Sequence, residues 1–440
     1  MKTISCDEHA PSRRALLLGL AAAGIANLVK PRGAAAAAEA TTDLSQLPPY
    51  GNGTLNPGIR TRVASDVNGP TVHFLEAGFE AAGRPPVLLL HGFPELAYSW
   101  RKVMVPLAAA GYHVIAPDRR GYGRTTGWDD SYDVDLNSFN LFTMVRDSVA
   151  LISALGYRSV SAVVGHDFGS VAAAWCALIR PDVFRSAVLM SAPFAGPPTY
   201  PFDSLRLAQV GDGRRPPATN IDDELAALAH PRKYYMRYYA TREANENMLH
   251  APQGLHDFLR AYFHYKSADW KGNRPFPLNA RTADELAKLP TYYTMDLDKG
   301  MAETVQPEMP TPAQVEACKW LTEAELGVYS FEYGRTGFQG ALQAYRCMLD
   351  PRQIADLRLF SGRTIDVPST FIAGKSDWGV YQTPGAFETM KKKACTRMLA
   401  THIVEGAGHW VQQEQPERVV EILLSFLAGQ PKSQADGGPG

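Results

Sequence analysis

Residues 162–170 read Ala162-Val163-Val164-Gly165-His166-Asp167-Phe168-Gly169-Ser170. An apolar run too short for a helix meets a small-x-Asp-x-small turn, and a helical pattern from Val171 to Ile179 follows. A turn this sharp holds its central residue in a strained backbone conformation, and only small neighbours let the strand and helix approach so closely. Asp167 is that central residue. Its carboxylate has two readings: a cap on the following helix, whose positive end suits the charge, or a nucleophile.

Outward from the turn, other short apolar runs stand at Val87–Leu90, Val114–Ala116 and Ala187–Met190, each followed by a loop and a helical pattern. The rhythm returns at Thr370–Ala373 and His402–Val404 and closes with an amphipathic helix around Pro416–Leu427. Buried parallel strands of an α/β fold read this way. A β-rich stretch precedes them, Ile59–Ser65 and Thr71–Glu76, split by the turn Asn68-Gly69-Pro70. Between about 195 and 365 the strand rhythm disappears, and the chain becomes helical in pattern and dense in Tyr, Trp, Met and Pro. The expected organisation is a core over 41–194, a helical cap over 195–365, and a second core part over 366–440 ending in a disordered tail.

The first forty residues are expected to be a targeting segment. Ser12-Arg13-Arg14 precedes an apolar run from Ala15 to Val29 and an alanine-rich stretch to Ala40, which resembles a twin-arginine (Tat) export signal. The run is shorter than the roughly 20 residues a spanning helix needs; an uncleaved anchor is the alternative. Export of a folded chain to the periplasm or medium, from a prokaryotic source, is the expectation, with no membrane attachment after the signal is removed. Cys6 leaves with the signal; the remaining Cys176, Cys318, Cys347 and Cys395 show no zinc spacing. A formal net charge of -1 gives no electrostatic footprint for nucleic acid. The run Lys391-Lys392-Lys393 reads as a solvated helix end.

An aspartate at the turn points to particular chemistry. A serine attacking a saturated carbon would leave an ether, whereas a carboxylate leaves an ester that an activated water can cleave. Two more groups complete such a site. The loop Glu405-Gly406-Ala407-Gly408-His409-Trp410 places His409 after the last strand as general base, and Gly374-Lys375-Ser376-Asp377 places Asp377 as its orienting acid. The order Asp167, Asp377, His409 is the nucleophile–acid–base order of α/β-hydrolases.

Taken together, the His91-Gly92-Phe93-Pro94-Glu95 loop, the turn at Asp167 and the Gly406–Trp410 loop resemble the epoxide hydrolase branch of the α/β-hydrolases, which also includes haloalkane and fluoroacetate dehalogenases. The resemblance spans about residues 60 to 428. It implies a mostly parallel eight-stranded sheet with an inserted helical cap, and an oxyanion hole from the backbone N–H groups of Phe93 and Phe168. Phe93, Pro94, Phe168 and Trp410 would line the substrate pocket. Some relatives carry the orienting acid after the strand that here ends in Met190, but Ser191-Ala192-Pro193 offers none. Thr336–Arg346 is similar to the family segment bearing an epoxide-activating tyrosine, which maps to Tyr345. The partner tyrosine falls in Lys233–Tyr239, where four tyrosines compete; the Tyr-x-x-Tyr-aromatic pattern favours Tyr235.

The implied reaction is hydrolysis of a small apolar epoxide by water to a vicinal diol, with no metal or cofactor. A dehalogenase on the same nucleophile is the nearest alternative. Halide needs N–H donors beside the nucleophile, yet Phe93 and Phe168 supply no side-chain donor, and Phe168 and Ser170 replace the arginines of fluoroacetate dehalogenases. A non-catalytic ligand-binding protein is the other alternative, disfavoured by the intact set of Asp167, Asp377 and His409.

Overall fold

The computed structural model describes residues 44–200 and 220–430. The expected export signal and the tail beyond 430 lie outside the described residues. Eight strands form one sheet: β1 (Ile59–Ala64), β2 (Val72–Ala77), β3 (Pro86–Leu90), β4 (His113–Pro117), β5 (Ala162–His166), β6 (Ala187–Met190), then β9 (Ser369–Gly374) and β10 (Met398–Val404). A small second sheet pairs β7 (Arg232–Tyr234) with β8 (Thr294–Asp296). The large sheet runs in the order β1-β2-β4-β3-β5-β6-β9-β10. β2 alone runs opposite to the other seven strands, so the sheet is mostly parallel and the fold is that of an α/β-hydrolase.

Alternation along each central strand divides the core into two layers. Val87, Leu89, Val114, Val164 and Val188 face one layer, joined by Met104 and Leu107 of helix α1 (Arg101–Ala109). Leu88, Leu90, Ile115, Val163 and Leu189 face the other, covered by helices α2 (Leu141–Ala154) and α3 (Phe168–Ile179). Because both faces are covered, the central strands β3, β4, β5 and β6 are buried at every position.

Between β6 and β9 the chain leaves the large sheet. The described part of this insert includes helices α4 (Tyr235–Tyr239), α5 (Leu255–Lys266), α6 (Glu323–Thr336) and α7 (Gln339–Leu349). Two features differ from the sequence reading. The insert also contains β7 and β8, whose three-residue strands are too short to register as alternation. Helix α3 begins at Phe168 rather than Val171, because Asp167 itself completes the turn. The aromatic residues of the insert join the α1 layer in one continuous apolar cluster that includes Phe93, Tyr235, Tyr345 and Trp410. That layer therefore positions the insert above the strand ends. Cys176, Cys318, Cys347 and Cys395 are free thiols, and Lys391 and Lys392 pair with Glu388. Among the described residues, no helix is long and apolar enough to cross a membrane.

Candidate active site

The turn at the end of β5 has the strained geometry its small residues predict. Asp167 adopts φ 53° and ψ -121°, a left-handed conformation that non-glycine residues avoid. The flanking glycines make it possible: a Cβ on Gly165 would run into the Gly169 carbonyl, and one on Gly92 would run into the Asp167 side chain. Asp167 does not cap helix α3. Its Oδ1 instead accepts the backbone N–H of Phe93 at 3.0 Å, across from the β3 loop. The capping reading of this residue fails, and the carboxylate is turned into the space under the insert.

The other sequence-picked groups converge there. His409 Nε2 lies 3.3 Å from Asp167 Oδ2, and its Nδ1–H donates to Asp377 Oδ1 at 2.9 Å. Asp377 Oδ1 also accepts the Gly379 N–H at 2.7 Å, which fixes the acid in its loop. Both carboxylates are held below their ordinary values. Burial pushes each upward, but the nearby His409 outweighs it, with Lys266 and His166 adding to the effect at Asp167. The Phe168 N–H occupies the first position of α3, where no intrahelical acceptor exists. Phe93 N–H thus bonds the Asp167 carboxylate, and Phe168 N–H follows it as the first amide of α3.

Tyrosines of the insert lie near enough to the carboxylate to feel its charge. The Tyr345 ring packs 5.7 Å from that of Phe93, 5.8 Å from Phe168 and 6.1 Å from Tyr235. Burial first, then the negative charge of Asp167, raises the Tyr345 phenol well above its ordinary value. For Tyr235 burial, Tyr234 and Asp167 act in the same direction. Both phenols therefore hold their protons near a carboxylate that is held ionised. Within the four-tyrosine run, Tyr238 donates to Asn247 at 2.6 Å and Tyr239 to Tyr262 at 3.1 Å. Tyr235 donates to Gln382 Oε1 at 3.1 Å. Pro94 is buried in the β3 loop. Trp410 is fully buried, its ring 4.7 Å from that of His409 and its indole N–H donating to the Phe263 carbonyl at 2.8 Å.

Several site residues escaped the sequence reading. Glu95, the last residue of the HGFPE loop, accepts from Gly92 N–H at 2.9 Å and from His166 Nδ1 at 2.6 Å, and Gln412 donates to its other oxygen at 2.7 Å. His166 then reaches the His409 carbonyl with Nε2 at 2.7 Å. Its position beside the nucleophile was the available signal. His91, by contrast, is structural: Nδ1 contacts the Gly92 carbonyl at 2.9 Å and Nε2 accepts the Arg119 N–H at 3.1 Å. Phe168 also lines an apolar cavity of about 330 Å³, together with Leu141, Trp175, Phe194, Ala344 and Met348. Among the described residues, no group of three or more His, Cys, Asp or Glu is placed to hold a metal ion.

Comparison with known proteins agrees with this geometry. The alpha/beta hydrolase fold family matches residues 85–416. Epoxide hydrolase B of Mycobacterium tuberculosis is 32% identical over 362 residues, 78% of this chain and 92% of the relative. Epoxide hydrolase A of the same organism is 31% identical over 381 residues, 84% of this chain and 98% of the relative. The solved structure of an epoxide hydrolase from an endophytic Streptomyces superimposes with a TM-score of 0.65 at 31% identity, covering 85% of this chain and 96% of that one. The chain belongs to the α/β-hydrolase fold family and, within it, to the epoxide hydrolases.

Proposed function

We propose that the enzyme converts an apolar epoxide to a vicinal diol through a covalent ester on Asp167. The observation that carries this reading is His409, which lies between Asp167 at 3.3 Å and Asp377 at 2.9 Å. Asp167 Oδ1 is occupied by the Phe93 N–H, so Oδ2 is the attacking oxygen. It displaces the ring C–O bond at one epoxide carbon. The released electron pair goes to the epoxide oxygen, which takes a proton from Tyr345 or Tyr235 and leaves a phenolate.

Water then adds to the ester carbonyl, giving one proton to His409 Nε2. The Asp377 carboxylate at Nδ1 fixes the tautomer that accepts it and stabilises the imidazolium. Phe93 and Phe168 N–H groups support the charge on the tetrahedral oxygen. Collapse breaks the acyl C–O bond; His409 returns its proton to the departing diol oxygen, and the second water proton restores the phenol. Nothing is oxidised or reduced, and the chemistry calls for no cofactor.

The insert, taken as a cap over 195–365, shields the site from bulk solvent. The buried aromatic residues around Asp167 favour an apolar substrate. The twin-arginine segment at Ser12–Arg14 supports export of the folded enzyme to the periplasm or medium. Assaying an aryl epoxide beside the matched alkyl halide tests the reaction class. Diol without halide is expected; halide release without diol would overturn the reading.

A further inference from the structure

One buried cation in this region takes no proton and forms no bond in the mechanism. Lys266 closes helix α5, its backbone carbonyl accepts the His409 N–H at 2.9 Å, and the residue is 3% exposed. Its ammonium lies 4.9 Å from the ring centre of Tyr293, 5.4 Å from Tyr262, 5.5 Å from Trp410 and 5.6 Å from Tyr292. All four distances fall within cation–π range. Among the described residues, no carboxylate comes within ion-pair distance and no oxygen accepts a hydrogen bond from Nζ. An ammonium brings three N–H donors, and aromatic faces replace only part of the water it gives up.

The cage belongs to the same aromatic enclosure as the reacting groups. Tyr293 packs 5.1 Å from Tyr235, Tyr262 stands 6.5 Å from Phe93, and Trp410 lies 4.7 Å from His409. Burial draws the ammonium below the usual lysine range, while the charges of Asp167, Asp377 and Glu95 act in the opposite direction. Lys266 therefore shares the electric field of the site.

That field also decides what kind of group would suit the free donors. Three buried carboxylates are already present, and a carboxylate on the substrate would add a fourth negative charge to a low-dielectric space. An ether, hydroxyl or carbonyl oxygen accepts a hydrogen bond without that repulsion. We infer that Lys266 determines specificity, its ammonium donating to a neutral oxygen acceptor on the epoxide, one aromatic ring beyond Tyr235. The inference rests on the epoxide hydrolase reading and narrows it to oxygen-bearing epoxides.

Two substrates of equal length test it: a glycidyl alkyl ether, and the alkyl epoxide in which a methylene replaces the ether oxygen. The wild-type enzyme is expected to favour the ether in kcat/KM by about tenfold to a hundredfold, as for a hydrogen bond to a charged donor. In Lys266→Met that ratio should fall to near one, and Lys266→Arg should restore part of it. Any loss that Lys266→Met causes through Asp167 or through packing falls on both substrates and cancels in the ratio. A wild-type ratio near one, or a ratio unchanged in Lys266→Met, overturns the inference. The wild-type comparison stands even if Lys266→Met does not fold. Diol from the alkyl epoxide alongside a ratio near one leaves the epoxide reading intact, whereas no diol from either substrate sinks that reading as well.

Discussion

The imidazole of His166 joins the nucleophile's turn to the base's loop, its Nε2 2.7 Å from the carbonyl oxygen of His409. Its other nitrogen faces Glu95 at 2.6 Å. A carbonyl and a carboxylate are both acceptors, so this pairing favours the protonated ring, which donates at both nitrogens. Burial opposes that charge, but Glu95 outweighs it and holds His166 above its ordinary value of 6.5. Glu95 is lowered in return: burial pushes it up, and His166 more than compensates.

A pH dependence of stability follows from the two signs. The Glu95 contribution is present above the ordinary carboxyl value of 4.5 and is lost as pH falls through its lowered value. The His166 contribution is present below 6.5 and is lost as pH rises through its raised value. Thermal unfolding across this range should show the alkaline decline clearly in the wild type. Glu95→Gln should flatten it and lose about 3–5 kcal/mol near neutrality, as for breaking one side of a buried ion pair. An unaltered alkaline decline in Glu95→Gln would show that His166 is not its source.

Separate roles for Asp167 and His409 predict different failures. Asp167→Ala should lower diol formation by on the order of 10⁴-fold and form no adduct. His409→Gln should still open the epoxide but stall at the ester. Mass spectrometry of the His409→Gln enzyme after exposure to substrate should find one substrate mass on the peptide containing Asp167. An unmodified peptide would count against covalent catalysis.

The two phenols are unequal in their surroundings. Tyr235 shares Gln382 Oε1 with Tyr234, at 3.1 Å and 3.2 Å, whereas Tyr345 packs directly on the rings of Phe93 and Phe168. Tyr345→Phe is expected to slow ester formation by about 10²-fold, the range of a positioned general acid. Tyr235→Phe should slow it less, because breaking its bond to Gln382 partly offsets its contribution to the ring-opening step. Rapid-quench measurement of the ester-forming step compares them; equal rates in both variants would remove this ranking.

The chain order made the reacting groups legible and the supporting ones obscure. Asp167, Asp377 and His409 each follow a short apolar strand within a few residues, and small residues mark two of the three loops, so local pattern suffices. Glu95 and His166 meet across 71 residues, and His166 and His409 across 243; nothing local announces such pairings. Lys266 is hidden for the same reason, its cage being assembled from residues near 262, 292 and 410. The small sheet β7–β8 escaped because three residues cannot display a period. The order of the three groups already favoured the nucleophilic role at Asp167; the bond that its carboxylate accepts from Phe93 N–H is a contact that sequence does not contain.

Glu414 makes the last test, because it pins the base's loop from outside the reacting set. Its Oε2 accepts the N–H of Gly408 at 2.9 Å and of Ala268 at 2.8 Å, and its Oε1 accepts that of Trp410 at 3.0 Å. His409 N–H goes to the Lys266 carbonyl, so three consecutive amides around the base are fixed, one of them to the end of α5 in the insert. Glutamine at 414 keeps one acceptor oxygen and introduces an NH₂ opposite a backbone donor. The base should then sit less well while the nucleophile's turn, held by β5 and the Phe93 N–H, is undisturbed. Glu414→Gln is therefore expected to slow ester hydrolysis on the order of tenfold and ester formation much less, so that ester accumulates during turnover. Single-turnover measurement of the two steps checks this, since a general loss of structure would slow both together.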